Sequence, residues 1–385
     1  MPSRVYFDWN ATTPLRAEAR AAIATAYEFV GNPSSVHAEG REARRLLEEA
    51  RSALAFAVGA LPRNVTFTSA GTEANALALS PGVKTASRGP VQRLLVSGIE
   101  HASVLAGGRF PTSAVSLIQV TRSGIVDLDH LRSLLASGPS ALVSIMAANN
   151  ETGALQPVAE AARIVHEAGG LLHVDAIQAL GKIPFDIKDV GADLATFSAH
   201  KIGGPKGIGA LVVAEGVAGL EPVLRGGGQE FGHRAGTENV AGIAGFGAAV
   251  KAALQDLPTD AARLMTLRNR LESGLREIAD VAIFSEVVER LPNTTLFTAP
   301  GLKAETAVIG FDLEGIAVSS GSACSSGKVQ PSHVLSAMGF DPRVAQGAVR
   351  LSMGWSTREA DIDRCLEAWR KLGNSLLKDR RRNTA

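Results

Sequence analysis

The chain has 385 residues, 45% hydrophobic and 20% charged, with 39 lysines and arginines against 38 aspartates and glutamates. That length exceeds what one hydrophobic core usually serves, so two domains are expected, and the near-neutral balance gives no field for nucleic acid or an anionic membrane. Only two cysteines occur, Cys324 and Cys365, which excludes a disulfide framework and a multi-cysteine zinc site and points to a reducing cytoplasm.

No metal site is expected. No apolar run approaches the ~20 residues of a membrane-spanning helix, and the first residues lack a secretory signal's apolar stretch. Residues 39–58 read as an amphipathic helix, with Leu46, Ala50, Leu54 and Val58 four apart and Gly59 as its stop. Short β-branched runs then alternate with Ala-rich stretches. The strand candidates are Val65–Thr68, Leu94–Ser97, Ala141–Met146, Leu171–Val174, Leu194–Ser198 and Ala210–Val213. This alternation predicts an α/β fold with a mostly parallel sheet covered by helices, whose carboxyl edge binds ligands. From about residue 260 the texture changes to a charged helix, Arg263 to Ile278, followed by short strand-like pieces. The expected division is a large domain over 16–258 and a smaller α+β domain formed by 1–15 with 259–385.

The first chemical signal is Thr68-Ser69-Ala70-Gly71-Thr72-Glu73-Ala74-Asn75, a strand end, a small-residue turn and a helix start. Free N–H groups and the helix dipole make such a start a phosphate seat at Gly71 and Thr72, although a plain capped helix has the same pattern. His101 follows another strand and is placed to stack on a planar cofactor and to move protons, or simply to pack. Asp175 ends an apolar strand with Gln178 three residues on. A carboxylate there holds a protonated pyridine nitrogen, or caps a helix.

Lys201 closes the next strand after Ser198 and His200. An amine desolvated there favours its neutral, nucleophilic form and covalent chemistry with an aldehyde. Alternation with Phe197 and Ala199 points Ser198 and His200 together towards a phosphate. Lys206 reads as solvated surface. Cys324 lies in the Ser/Gly-rich run 319–327 without apolar periodicity, which suits an accessible thiol, whereas Cys365 reads as packed. Arg350, in a strand-like run, offers its planar fork to a carboxylate.

Together these residues resemble the cysteine desulfurases, fold-type I pyridoxal-phosphate enzymes close to class V aminotransferases. The resemblance runs from Phe7-Asp8-Trp9-Asn10-Ala11-Thr12-Thr13-Pro14 to about Ser356, through Ala148-Asn149-Asn150-Glu151-Thr152-Gly153, Ser198-Ala199-His200-Lys201 and Arg234-Ala235-Gly236-Thr237. It implies that Lys201 carries the covalent link to pyridoxal 5'-phosphate, Asp175 pairs with the ring nitrogen and Gln178 contacts the ring hydroxyl. It also implies that His101 stacks on the ring while Gly71, Thr72, Ser198 and His200 hold the phosphate. Thr237 would reach the phosphate of a partner subunit in a homodimer. Asn150 and Arg350 would bind L-cysteine, and Cys324 would accept its sulfur as a persulfide, releasing L-alanine. The long cysteine loop resembles the group that supplies an acceptor protein for iron–sulfur, including nitrogenase, cluster assembly. A class V aminotransferase or a selenocysteine lyase on the same scaffold is the alternative. Trp9 and Phe231 depart from the usual pattern, where asparagine and arginine are found.

Overall fold

A computed structural model describes residues 4–85, 89–321 and 331–376. Seven strands form the large sheet: β1 (Val65–Thr68), β2 (Arg93–Ser97), β3 (Val115–Ile118), β4 (Ala141–Met146), β5 (Leu171–Asp175), β6 (Leu194–Ser198) and β7 (Gly209–Val213). Their order is β1-β7-β6-β5-β4-β2-β3. Only β7 runs antiparallel to its neighbours; the other pairs are parallel. The predicted strands are therefore all present, in a mostly parallel sheet. The edge strand β3 has no counterpart among them, because exposed Ser116 and Leu117 give Val115–Ile118 no buried pattern to read.

The period-two alternation of side chains sorts this sheet into two faces. Val143, Ile145, Leu172, Val174, Ala195 and Phe197 belong to the main core, together with Leu47 and Leu54 of the helix Ala38–Ala57 and Ile243 and Phe246 of the helix Val240–Ile278. On the opposite face Leu142, Leu171 and Leu194 pack beneath the helix Gly71–Ala78. Moving along that face towards the carboxyl edge, the residues become polar, Ser144, His173 and Thr196, and then reach Asp175 and Ser198 at the strand ends. The apolar end fixes the sheet against its helix, and the polar end is left for chemistry.

Within Ala38–Ala57 the buried apolar side chains are Ala43, Leu47, Ala50, Ala53, Leu54 and Ala55, with Val58 just beyond; Leu46 is only half-buried. The stripe follows three- and four-residue steps, and the strict four-residue spacing drifts off the buried face. The charged helix expected at Arg263 begins much earlier, as one helix from Val240 to Ile278. Its first half is Gly/Ala-rich, and Gly247 lets it approach the neighbouring helix: a Cβ there would come within 2.6 Å of the Ala50 Cα. By length and composition this helix is long and apolar enough to cross a membrane, contrary to the expectation that no run comes near. Its apolar residues are instead largely buried inside the protein.

The boundary expected after residue 258 falls inside this helix. Side chains up to Ala253 join the main core, and from Leu264 onward they join a second one built on Phe297, Phe311 and Trp369. Val5 and Phe7 enter that second core through a parallel pairing of Val5–Tyr6 with Ile316–Ala317. Its sheet is antiparallel, Ala282–Ile283, Thr294–Thr298, Val349–Ser352 and Ser319–Ser320 in that order. Each fully buried Phe or Leu side chain here stabilises the fold by about 1.5–3 kcal/mol. Cys365 is part of this core, and burial pushes its thiol up to about 12, so it is inert.

Candidate active site

Strands β5 and β6 are neighbours, with Asp175 paired to Thr196, so their carboxyl ends deliver Asp175 and the Lys201 turn side by side. Asp175 is buried. Its carboxylate accepts the Asn75 amide at 3.0 Å and the Ile177 N–H at 3.0 Å. Burial raises its pKa, while these two bonds and the nearby His101 and Lys201 oppose the rise. It is thus neither solvated nor merely a cap.

Lys201 does not close the strand as predicted. β6 ends at Ser198, and Ala199–Lys201 form a single tight turn whose Ala199 carbonyl accepts the N–H groups of Ile202 and Gly204. Gly204 permits the compaction, since a Cβ there would lie 2.8 Å from the Ala199 Cβ. The Lys201 amine donates to the carbonyls of Asn10 at 2.6 Å and Ala11 at 2.8 Å. Burial first, and the positive Arg350 second, lower this amine to about 8. A neutral amine is what attack on an aldehyde requires.

The same turn breaks the alternation expected to aim His200 with Ser198. His200 bonds through Nδ1 to the Thr12 hydroxyl at 3.2 Å, and its carbonyl accepts the Thr13 N–H and hydroxyl, so it holds the N-terminal segment. Burial, then Lys201, lowers it to about 4, so it is neutral. Ser198 remains beside Gly71, where a Cβ would meet the Ser198 Cβ at 3.3 Å and the Ile177 Cδ1 at 2.4 Å. The helix Gly71–Ala78 has Ala70 as its N-cap, with no side chain capping it. Glu73 accepts the Ser69 N–H at 2.8 Å, so part of the capping pattern is present, and the first-turn N–H groups of Gly71 and Thr72 remain available to an anion.

Gln178 donates to the Asn10 carbonyl at 3.0 Å and accepts from Lys182. His101 opens the short helix Ala102–Leu105 and is exposed; its Nδ1 faces the Ser103 hydroxyl at 2.8 Å. Partial desolvation by the surrounding protein lowers its pKa, Asp175 raises it, and Lys201 and His333 lower it further. Arg350 is buried, donating to the Asn150 carbonyl at 3.0 Å and pairing with Asp8 at 2.7 Å; its Nε has no partner. Asn150 thus meets Arg350 through its backbone. Thr237 is exposed on a separate groove with Ser69, Gly207 and Arg234, apart from the Lys201 turn. Cys324 lies outside the described residues.

The structure adds residues whose roles sequence reasoning missed. Asn10 is a hub, its carbonyl bonded to Lys201 and Gln178 and its side chain to Asn150, Thr294 and Lys182. Lys182 is a second half-buried amine at the site, lowered by desolvation and then by Lys201. Glu100 is buried with one oxygen unpartnered, and burial, then Asp175, raises its pKa strongly. Glu151 accepts the Ser332 hydroxyl at 2.5 Å, and burial raises it to about 7. Lys182 and Glu100 sit near motif residues in sequence, but only the fold reveals how far they are withdrawn from solvent.

Trp9 and Phe231 have structural settings of their own. Trp9 packs edge-on against Trp355 at 4.6 Å, over Gly354, whose Cβ would fall 2.0 Å from the indole. Phe231 stands in a left-handed turn with φ 58°, under the Arg51 guanidinium at 5.0 Å. Arg51 in turn forms a buried ion pair with Glu230 at 2.8 Å.

An amine near neutrality, a buried carboxylate and an uncapped helix start fit pyridoxal phosphate. Lys201 would hold its aldehyde, Asp175 its ring nitrogen, and Gly71, Thr72 and Ser198 its phosphate.

The class-V aminotransferase family model matches residues 5–365. A "Cysteine desulfurase IscS" from Dictyoglomus turgidum is 40% identical over 377 residues, covering 97% of this chain and 95% of that protein. A "Cysteine desulfurase" from Cereibacter sphaeroides is 43% identical over 372 residues, covering 94% of each. The solved NifS-like protein from Rickettsia africae superposes with a TM-score of 0.87 at 37% identity, covering 96% of this chain and 99% of that one. The chain therefore belongs to the cysteine desulfurases, pyridoxal-phosphate enzymes of the class-V aminotransferase family.

Proposed function

We propose that this enzyme takes the sulfur of L-cysteine onto Cys324 and releases L-alanine. The observation that carries the reading is the neutral-prone Lys201 amine, in the turn after one strand, beside the buried Asp175 carboxylate at the end of its neighbour. Bound there, pyridoxal phosphate supplies an aldehyde for covalent capture and a ring that takes up electrons from the substrate's Cα.

The protein's own groups divide the remaining work. Arg350 binds the substrate carboxylate, which competes with Asp8 for the guanidinium. The Asn10 and Ala11 carbonyls position the Lys201 amine, which removes and returns the Cα proton. The Cys324 thiolate attacks the substrate's sulfur, a sulfur–sulfur bond forms and the carbon–sulfur bond breaks. The bonding electrons return to the carbon, which takes up a proton. Cysteine plus a thiol thus gives alanine plus a persulfide, with no oxidant required.

The persulfide then passes to an acceptor protein of iron–sulfur assembly. A free working thiol supports a cytoplasmic setting. Exposed Tyr27, Val30, Val36 and Phe231 support a homodimer, in which Thr237 reaches the partner's phosphate site.

The test is the visible spectrum and product analysis after L-cysteine addition. Alanine with a persulfide on Cys324 supports the reading. A 2-oxo acid exchange without sulfide overturns it in favour of an aminotransferase, and turnover of selenocysteine alone favours a lyase.

A further inference from the structure

Five side chains outside the assigned set form one hydrogen-bonded chain that ends on the site. Ser144 Oγ lies 2.8 Å from His173 Nδ1, and His173 Nε2 lies 3.2 Å from Thr196 Oγ1. Thr196 Oγ1 is 2.6 Å from Asn75 Oδ1. The Asn75 amide nitrogen reaches both Asp175, at 3.0 Å, and Ser103 Oγ, at 2.9 Å. Ser103 Oγ is 2.8 Å from His101 Nδ1.

Donors and acceptors in this chain follow from one condition, that Asp175 is ionised, as pairing with a protonated ring nitrogen requires. An ionised carboxylate only accepts, so the Asn75 NH₂ group faces Asp175, and its second hydrogen goes to Ser103. Asn75 Oδ1 must then accept from the Thr196 hydroxyl. Thr196 in turn accepts from His173 Nε2–H, which leaves His173 Nδ1 to accept from Ser144. Burial lowers His173 to about 3, in keeping with this neutral form.

On the other branch, Ser103 already accepts from Asn75, so its hydrogen is free for His101 Nδ1. The Ser103 backbone N–H points at the same nitrogen at 3.2 Å, and a backbone donor cannot reverse. Both ends of the chain therefore specify the same arrangement.

We infer that Asn75 and Ser103 are positioning residues that hold His101 as the tautomer with its proton on Nε2 and with Nδ1 as an acceptor. The inference rests on the reading that places His101 against the cofactor ring, and it narrows the role of that histidine. With two donors on Nδ1, the ring offers a hydrogen bond from Nε2 and resists collecting a proton at Nδ1. Proton transfer at the substrate's Cα then belongs to Lys201. The charged and titratable groups facing His101 are Asp175, which favours its protonation, and Lys201 and His333, which oppose it.

The test is ¹⁵N NMR of the histidine-labelled holoenzyme, with the His101 signals identified by their loss in His101→Gln. A protonated Nε2 and a bare Nδ1 at neutral pH are expected. Ser103→Ala removes one donor from Nδ1 and should raise the His101 titration midpoint by roughly half to one pH unit. Ser103→Thr should restore it. A proton on Nδ1, a doubly protonated ring at neutral pH, or an unmoved midpoint in Ser103→Ala would overturn the inference. The visible cofactor band on the same samples separates the two readings: its absence defeats the proposed function, whereas the tautomer is decided by the nitrogen shifts alone.

Discussion

Lys201 is the residue whose environment makes the sharpest numerical demand. Burial, with Arg350 adding to it, brings its amine from the ordinary 10.5 down to about 8. Only the neutral amine captures an aldehyde. At pH 7 a group titrating near 8 is about 9% neutral, and an ordinary lysine about 0.03%, a ratio of about 300. Cofactor-free protein mixed rapidly with pyridoxal phosphate should therefore capture it at a rate that climbs about tenfold per pH unit well below 8 and levels off above it. Arg350→Gln removes a like charge and should move that midpoint up; Asp175→Asn removes an opposing negative charge and should move it down. Absorbance of the covalent complex in a stopped-flow instrument reads all three proteins. A rate still rising beyond pH 10, or one flat from pH 6 to 9, would refute the desolvation argument.

Four further outcomes are expected. Lys201→Ala should lose the covalent cofactor linkage, while Cys324→Ala should keep the yellow band and fail to form a persulfide, as read by absorbance and intact mass. Buried His173 binds a proton only near pH 3, so the unfolded chain holds more protons from about 6.5 downward and stability falls with pH across that window, by up to about 4–5 kcal/mol in all. Urea unfolding from pH 7 to 4 should show a shallower pH dependence in His173→Gln. Glu230→Gln removes the buried counter-charge of Arg51, leaving it only the half-exposed Glu48, and should cost about 3 kcal/mol in the same unfolding assay. Trp9→Ala empties the space beside Trp355 and should cost a similar amount, about 3–5 kcal/mol, read as a lower Tm.

Most of the large sheet could be read from sequence because its central strands are buried on both faces and spelled in apolar, β-branched runs. The edge strand β3 could not, since an exposed strand carries no such run. The helix Val240–Ile278 was recognised only where arginines and glutamates marked a solvent face; its Gly/Ala half packs against helices on several sides and shows no periodicity. At the site, Asp175 and the Gly71–Thr72 turn could be read because each lies at the carboxyl end of a strand. The orientation of His200 could not, because one turn of helix after Ser198 replaces the expected alternation. The chain from Ser144 to His101 depends on strand order and register, which bring residues far apart in sequence into hydrogen-bond distance. Nothing local to Asn75 or Ser103 announces it.

The most direct measurement is a single turnover with one equivalent of L-cysteine and no added reductant. One equivalent of alanine and one sulfur added to Cys324, found by mass spectrometry of the digested protein, is the expected result. Alanine released at the wild-type rate by Cys324→Ala would contradict the central role of that thiol.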